Sequence, residues 1–475
     1  MPSTYRTIPL QIAGPWYKSR SGQLASMETV NYYVERNKGA KDEFSLMPFP
    51  GLKNISSVVG AGRGMHQMIE VGYRVAGATL YSFDSAGVHT AIGSIPGSGR
   101  CIFDDDGVNL FIVTEKQVYK YDSSAGNVAN VTSANIGSPN SVTYLNDKFI
   151  YDRGQGNDYA VSNVGAGETV NSNNIAGAIS DPDDLIRVYS FREESYMYGS
   201  RTVEKHYDKG VGNPPITVII GQTKPVGLGA VYSLSNNDRT MYFLGDDNRV
   251  YVYNGSEPEV ISSIALSNEI ESYNTVDDAI GWCFTFQGQN FYALTFPSEQ
   301  KTWVVNESFG NEGWFQLRGG VGSGAYPATG HVYVYGKHWL EDGLGNLYNW
   351  DFSDYQNNGQ TIERVRVLAP ISGSLFDKPG QRIQMSRLEL ILEKGVGLIS
   401  GQGEDPKIMV EPSHDGGKTF NEGSWVRIGR MGEFTIKAEW WNLKSFYDLV
   451  LRVRITDPVF SSIHSAAIDI KEAGR

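Results

Sequence analysis

Seven times along this chain a short apolar and aromatic stretch ends on an acidic or amide residue. The instances are "LYSFD" (Leu80 to Asp84), "VYKYD" (Val118 to Asp122), "DYAVSN" (Asp158 to Asn163), "VEKHYD" (Val203 to Asp208), "VYVYN" (Val250 to Asn254), "TWVVN" (Thr302 to Asn306) and "LYNWD" (Leu347 to Asp351). Their first residues lie 38 to 52 positions apart, and each is preceded by another apolar strand and a turn. Repetition at about 40–50 residues with several strands per unit points to a β-propeller. One four-stranded blade cannot bury both faces, whereas a ring of blades packs face on face and hides most edges. The repeat predicts about seven blades, with six or eight left open by its degeneracy. The competing arrangement is an array of β-sandwiches whose spacing coincides.

Composition agrees with an all-β chain. Among 475 residues there are 54 Gly, 27 Tyr, 20 Phe and 9 Trp. Aromatics suit a pleated, half-buried surface, and Gly suits the turns between strands. In "HVYVYGKHW" Val332 and Val334 face one side while His331, Tyr333 and Tyr335 face the other, a period of two. The best helix is "SIALSNEIESY" (Ser263 to Tyr273), read as an insertion between blades. Residues 1–57 carry Pro48, Pro50 and Gly51, which break regular structure, and read as an extended arm with one or two short strands. The propeller then occupies 58–355. After the polar stretch "DFSDYQNNGQ" the strands lengthen, and six of them in residues 356–475 predict a C-terminal β-sandwich.

Charge and cysteines narrow the function classes. The formal net charge is -12 and no basic stripe is visible, which argues against gripping nucleic acid by its phosphates. DNA could still pass nearby without sticking. Cys101 and Cys283 lie in apolar stretches and read as reduced and buried. The first residues lack the basic start and apolar core of a signal peptide, and no window is apolar enough for a membrane helix. The reading is a soluble protein made in a cytoplasm.

A search for chemistry finds little. No phosphate-binding loop, zinc-protease helix, Cys-x-x-Cys pair or nucleophile elbow is present. His331 and His338 are the one close histidine pair, and a tight strand is expected to put them on opposite faces, so no metal site is expected. Acidic clusters at Asp104–Asp106, Asp181–Asp184 and Asp246–Asp247 fall where turns are expected. The stretch "SHDGGKTF" fits the Asp-box hairpin that sialidases carry on successive blades: Ser413, Asp415, Gly417 and Phe420 are its pattern residues. Here it occurs once, after the repeats, with no arginine cluster or activated tyrosine to nominate. It is read as a structural hairpin, with no catalytic residues and no cofactor. A glycan-binding or sialidase-like propeller is the alternative function.

The C-terminal run from Asp415 to Thr419, the Gly429–Gly432 turn, Arg452 and Arg454, and Thr456 to Val459 resembles the end of the packaged-DNA stabilisation, or tail hub (stopper), family of short-tailed bacteriophages. "PFPGL" (Pro48 to Leu52) is similar to its N-terminal Phe-Pro-Gly. Gly62 to Phe83 looks like its first blade, and Asp181 to Gly210 like its middle segment. The stretch "KAEWWNLKSFYD" departs from the Gly-Arg turn of many relatives and puts that turn in doubt. The resemblance implies a structural virion protein of the phage tail, assembled in the host bacterial cytoplasm. It implies a homohexameric hub that binds the portal-adaptor ring, closes the portal channel on packaged DNA, and anchors the tail needle and tailspikes. Double-stranded DNA would pass it transiently. No catalysis and no membrane segment are expected.

Overall fold

The computed structural model describes residues 5–21, 26–39, 42–322, 324–377 and 379–472. Its repeating part is a ring of four-stranded antiparallel meanders. In several meanders the second strand is almost wholly buried: "NLFIVT" (Asn109–Thr114), "KFIYD" (Lys148–Asp152) and "MYFL" (Met241–Leu244). Such strands are covered on both faces by neighbouring blades, so they read as continuous apolar runs. The outermost strands, such as Asn127–Val131, alternate between half-buried and exposed. The seven stretches that define the sequence repeat are the third strands, from Thr79–Phe83 to Asn346–Asp351. Two-residue turns at positive φ, such as Asn146 and Asp147 (φ 48° and 59°), match the twist of the hairpins they join.

Apolar clusters run round the ring between neighbouring meanders. Val75 and Leu80 meet Leu110 and Ile112 at one junction, and Phe83 meets Val332, Trp339 and Leu347 where the last meander closes on the first. Closure uses the N-terminal strand Gly51–Ser57, which pairs with Asn346–Asp351 as the outer strand of the last blade. The helix Ile264–Glu271 lies between two meanders with Ser263 as its N-cap, and it buries Ala265, Leu266 and Ile270.

The propeller expectation stands, and the expected count of about seven blades, with six or eight left open, is adjusted to six. Among the described residues six four-stranded sheets stand free. The remaining meander, Ile280–Phe286 to Trp314–Leu317, is part of an 11-stranded sheet. Its last strand pairs in parallel with Ser26–Val30, which pairs in turn with Arg364–Val367. From there the sheet continues through Asp448–Ile455 and Lys407–Ser413 to Ser424–Arg427. It forms one layer of the C-terminal sandwich. The other layer holds Ile383–Leu392 and Ile463–Glu472 at its centre. Leu388, Leu390, Ile408, Leu451, Val453 and Ile468 lie in the core between the layers.

The N-terminal arm is also corrected. Among the described residues, the stretch 6–57 contributes six strands, not one or two. Arg6–Leu10 pairs with Ile463–Glu472, and the hairpin of Tyr32–Arg36 and Phe44–Pro48 extends the same sheet. Pro48 and Gly51 do interrupt the chain, but they mark the crossing from sandwich to propeller. Phe49, buried at that crossing, packs against Phe284, Phe286 and Trp350. Each of these strands is too short to declare itself locally, and each exists because a distant strand pairs with it.

Candidate functional site

The first strands of all the meanders converge on the ring axis, and a cavity of about 410 Å³ lies among them. Arg100 and Arg187 reach it from separate blades. Arg187 Nη1 donates to the carbonyls of Val231 (2.7 Å) and Leu234 (3.4 Å), and its guanidinium lies 5.2 Å from the Tyr189 ring. Arg100 Nη2 donates to the Thr329 carbonyl at 2.7 Å, and its guanidinium lies 6.0 Å from the Tyr232 ring. Burial pulls both arginines below their ordinary value, yet a guanidinium stays cationic. Asp104 faces the same space. Its carboxylate accepts from the amides of Asp105 (2.9 Å) and Tyr144 (2.7 Å) and from Thr143 Oγ1 (3.1 Å), and burial pushes its carboxyl upward. Asp105 and Asp106 cap the amides of Gly107, Val108 and Asn109 as the turn reading expects. Asp104 instead ties its blade to the next.

A second cavity of about 750 Å³ opens alongside, lined by His331, His338, Tyr333, Phe284 and Phe286 among others. Here the sequence expectation is overturned. Tyr335 (φ 58°) and Gly336 form a two-residue turn, so Tyr333 pairs with His338 across the hairpin. His331, two residues from Tyr333, is therefore on the same face as His338, and their ring nitrogens meet at 2.9 Å. Trp282 and Trp350 stack on His331. Burial, with His338 beside it, pushes His331 down to about 3, and burial pushes His338 down to about 4, so both rings are neutral near pH 7. Among the described residues no group of three or more His, Cys, Asp or Glu is arranged to hold a metal. Cys101 and Cys283 are free thiols, pushed by burial up to about 11 and about 12.

The hairpin Ser413–Phe420 lies at the edge of the sandwich, away from the ring's repeated turns. Ser413 Oγ donates to Asp415 Oδ1 at 2.7 Å and accepts from the Gly417 amide at 3.0 Å. Asp415 also accepts from the amides of Lys418 and Thr419 at 2.9 and 3.0 Å and from Thr419 Oγ1. These bonds, with Thr419 first, hold its carboxyl well below the usual range. Gly417 sits at φ 85°, and a Cβ there would come within 3.0 Å of Ser26 Oγ. Phe420 packs on a cluster of Val30, Val365, Val367 and Val450, with the Arg452 guanidinium 4.1 Å above its ring. The structure thus joins Ser413, Asp415, Gly417 and Phe420 in one turn and places none of them near the channel. Sequence reasoning missed the channel arginines because they lie on different blades, and no local pattern relates them.

The channel also bears on hydrolysis. The Tyr232 hydroxyl donates to the Arg100 carbonyl at 3.3 Å and the Tyr189 hydroxyl to Asn236, and burial raises both phenols. Neither is prepared as a nucleophile by a bonded carboxylate.

A family model described as "Bacteriophage P22 Gp10, beta-propeller" matches residues 6–353, and one described as "Bacteriophage P22 Gp10, beta-sandwich" matches residues 371–471. No curated protein matches the chain. Among solved structures, the Pan2 WD40 domain of Neurospora crassa is similar at 11% identity and a TM-score of 0.42, over 63% of this chain and 94% of that one. The N-terminal domain of Nup159 is similar at 10% identity and a TM-score of 0.41, over 68% and 98%. These likenesses are distant and carry no functional meaning.

Proposed function

The chain belongs to the bacteriophage P22 Gp10 family of packaged-DNA stabilisation and tail-hub proteins, and on that premise we propose that it forms a homohexameric hub closing the portal channel. It is a structural protein of the phage tail. In the proposed role it seats on the portal-adaptor ring, retains packaged DNA, and carries the needle and tailspikes. It would join the virion during assembly in the host cytoplasm. No catalytic step is proposed, and the Ser413–Phe420 hairpin is proposed to serve the sandwich as a folding device.

The observation that carries this reading is the ordered match of both family domains along most of the chain. The 11-stranded sheet supports it mechanically. A plug under pressure must pass load between its parts, and here propeller and sandwich share backbone hydrogen bonds across Ser26–Val30. The net charge of -12 suits a surface along which DNA slides without being held. Electron microscopy of the purified protein, alone and with portal-adaptor complexes, tests the proposal. Six-fold rings that dock on the adaptor are expected. A monomer that ignores the adaptor, together with virions that keep their DNA without this protein, would sink it.

A further inference from the structure

We propose that the cavity lined by His338, Tyr333, Phe286 and Phe352 binds an uncharged sugar ring, free or as one unit of a longer glycan. The inference does not depend on the tail-hub reading. Its first support is a hydrogen-bonding position left vacant. His331 Nε2 and His338 Nδ1 bond to each other at 2.9 Å, with Trp282 and Trp350 stacked against His331. Burial keeps both rings neutral near pH 7, so each carries one N–H. His338 Nε2 is then left without a protein partner among the described residues, and it is not sealed from solvent. It accepts if Nδ1 donates to His331, and it donates if Nδ1 accepts. A hydroxyl does both, so it satisfies this nitrogen in either case. Asn290 lines the same cavity and uses its Oδ1 to accept from Thr285 Oγ1 at 2.8 Å, which leaves its Nδ2 open to a ligand oxygen.

The second support is an exposed aromatic surface beside that position. Phe352 stacks on Phe286 at 5.1 Å with the planes 17° apart, yet it stays 46% exposed, and Tyr333 is 53% exposed. A sugar ring has an apolar face of C–H bonds and a rim of hydroxyls. Its C–H face suits the negative face of an aromatic ring, and its rim suits the vacant polar atoms. Charge selects among hydroxylated ligands. Asp238 is the one Asp, Glu, Lys or Arg in the lining, and it lies exposed at a turn next to Arg239. With no cation in the lining, a phosphate or an acidic sugar would enter uncompensated. At about 750 Å³ the space admits a monosaccharide or a disaccharide.

The test uses the full chain. Saturation-transfer NMR titrations are run with glucose, galactose, mannose and N-acetylglucosamine, with N-acetylneuraminic acid and choline as charged controls. A glycan array presents longer neutral and acidic chains. Saturable binding of at least one neutral sugar, with transfer strongest at its ring C–H protons, is expected; a site that needs a longer chain shows instead as neutral glycans on the array. Phe352→Ala should weaken binding about tenfold, and Phe352→Tyr should preserve it. Tyr333→Phe removes only a half-exposed hydroxyl. It should lower sugar affinity several-fold while leaving the sugar-free Tm unchanged, a result that misfolding cannot imitate. Binding confined to acidic sugars or choline, no neutral sugar bound in either assay, or wild-type affinity in both Phe352→Ala and Tyr333→Phe, would overturn the proposal.

Discussion

Arg74 and Glu341 show how much a single buried contact can matter to a ring. Both side chains are fully buried and 3.3 Å apart, one on Val71–Ala76 and the other on Lys337–Glu341, so the pair spans the junction where the propeller closes. Removing one partner leaves an uncompensated charge in the interior. Glu341→Gln should destabilise the protein by about 3–5 kcal/mol, while Arg74→Met with Glu341→Leu should cost less than either single change. Denaturant unfolding of the three variants checks this ordering. At Asp415, where the carboxylate accepts from two amides and two hydroxyls, the expected effect of Asp415→Ala is a lower Tm with no change in quaternary state. Its folded value lies below the ordinary one, so its contribution is present above about pH 4 and fades as pH falls toward the depressed value. Melts between pH 5 and lower values should therefore converge for wild type and Asp415→Ala.

The histidines give a second pH dependence with its own window. His89, His331 and His338 are held at about 4, about 3 and about 4, chiefly by burial. The unfolded chain takes up protons near pH 6.5 that the folded chain refuses. Stability should be complete above about pH 6.5 and fall as pH drops from there toward about 4. His338→Gln should flatten that fall, as read from Tm against pH; an unchanged slope would show that the ring protonates without penalty. The sequence singled out His331 and His338 but put them on opposite faces, because the face each histidine occupies depends on a turn of two residues.

At the scale of elements, the strand Gly51–Ser57 is the one on which the ring depends. It brings Leu52, 1% exposed, into the cluster with Tyr33, Phe49 and Trp350. Leu52→Ala should cost about 2–5 kcal/mol through lost burial and the cavity left behind. Limited proteolysis should also find the last blade more readily cut. The third strands of the blades were legible in advance because their period of two and their spacing are local properties. The first strands were less so: Ser235–Asn236 has only two residues, and its place in the ring comes from its pairing with Met241–Leu244.

At the scale of the whole molecule, the division drawn from the sequence at residues 57 and 355 separates strands that hydrogen-bond to each other. A chain limited to residues 58–355 lacks the outer strand of its last blade and the strand Ser26–Val30 that continues its shared sheet. Such a chain should aggregate or unfold, where the full chain is folded, as read by circular dichroism and sedimentation. Recovery of a stable monomer would show that ring packing alone suffices.

The sequence by itself determined the all-β class, the propeller, the helix insertion, the sandwich and the family resemblance. Each follows from periodicity, turn chemistry or ordered motifs that neighbouring residues carry together. It also put Ser413, Asp415, Gly417 and Phe420 in one hairpin, since capping acts over a few residues. Only the tertiary structure decided that six blades stand free and one is shared, that the first 57 residues are woven into both halves, and that Arg100 and Arg187 face one cavity. Those outcomes depend on strand pairing and packing between residues hundreds of positions apart, where a local pattern holds no record of its partner.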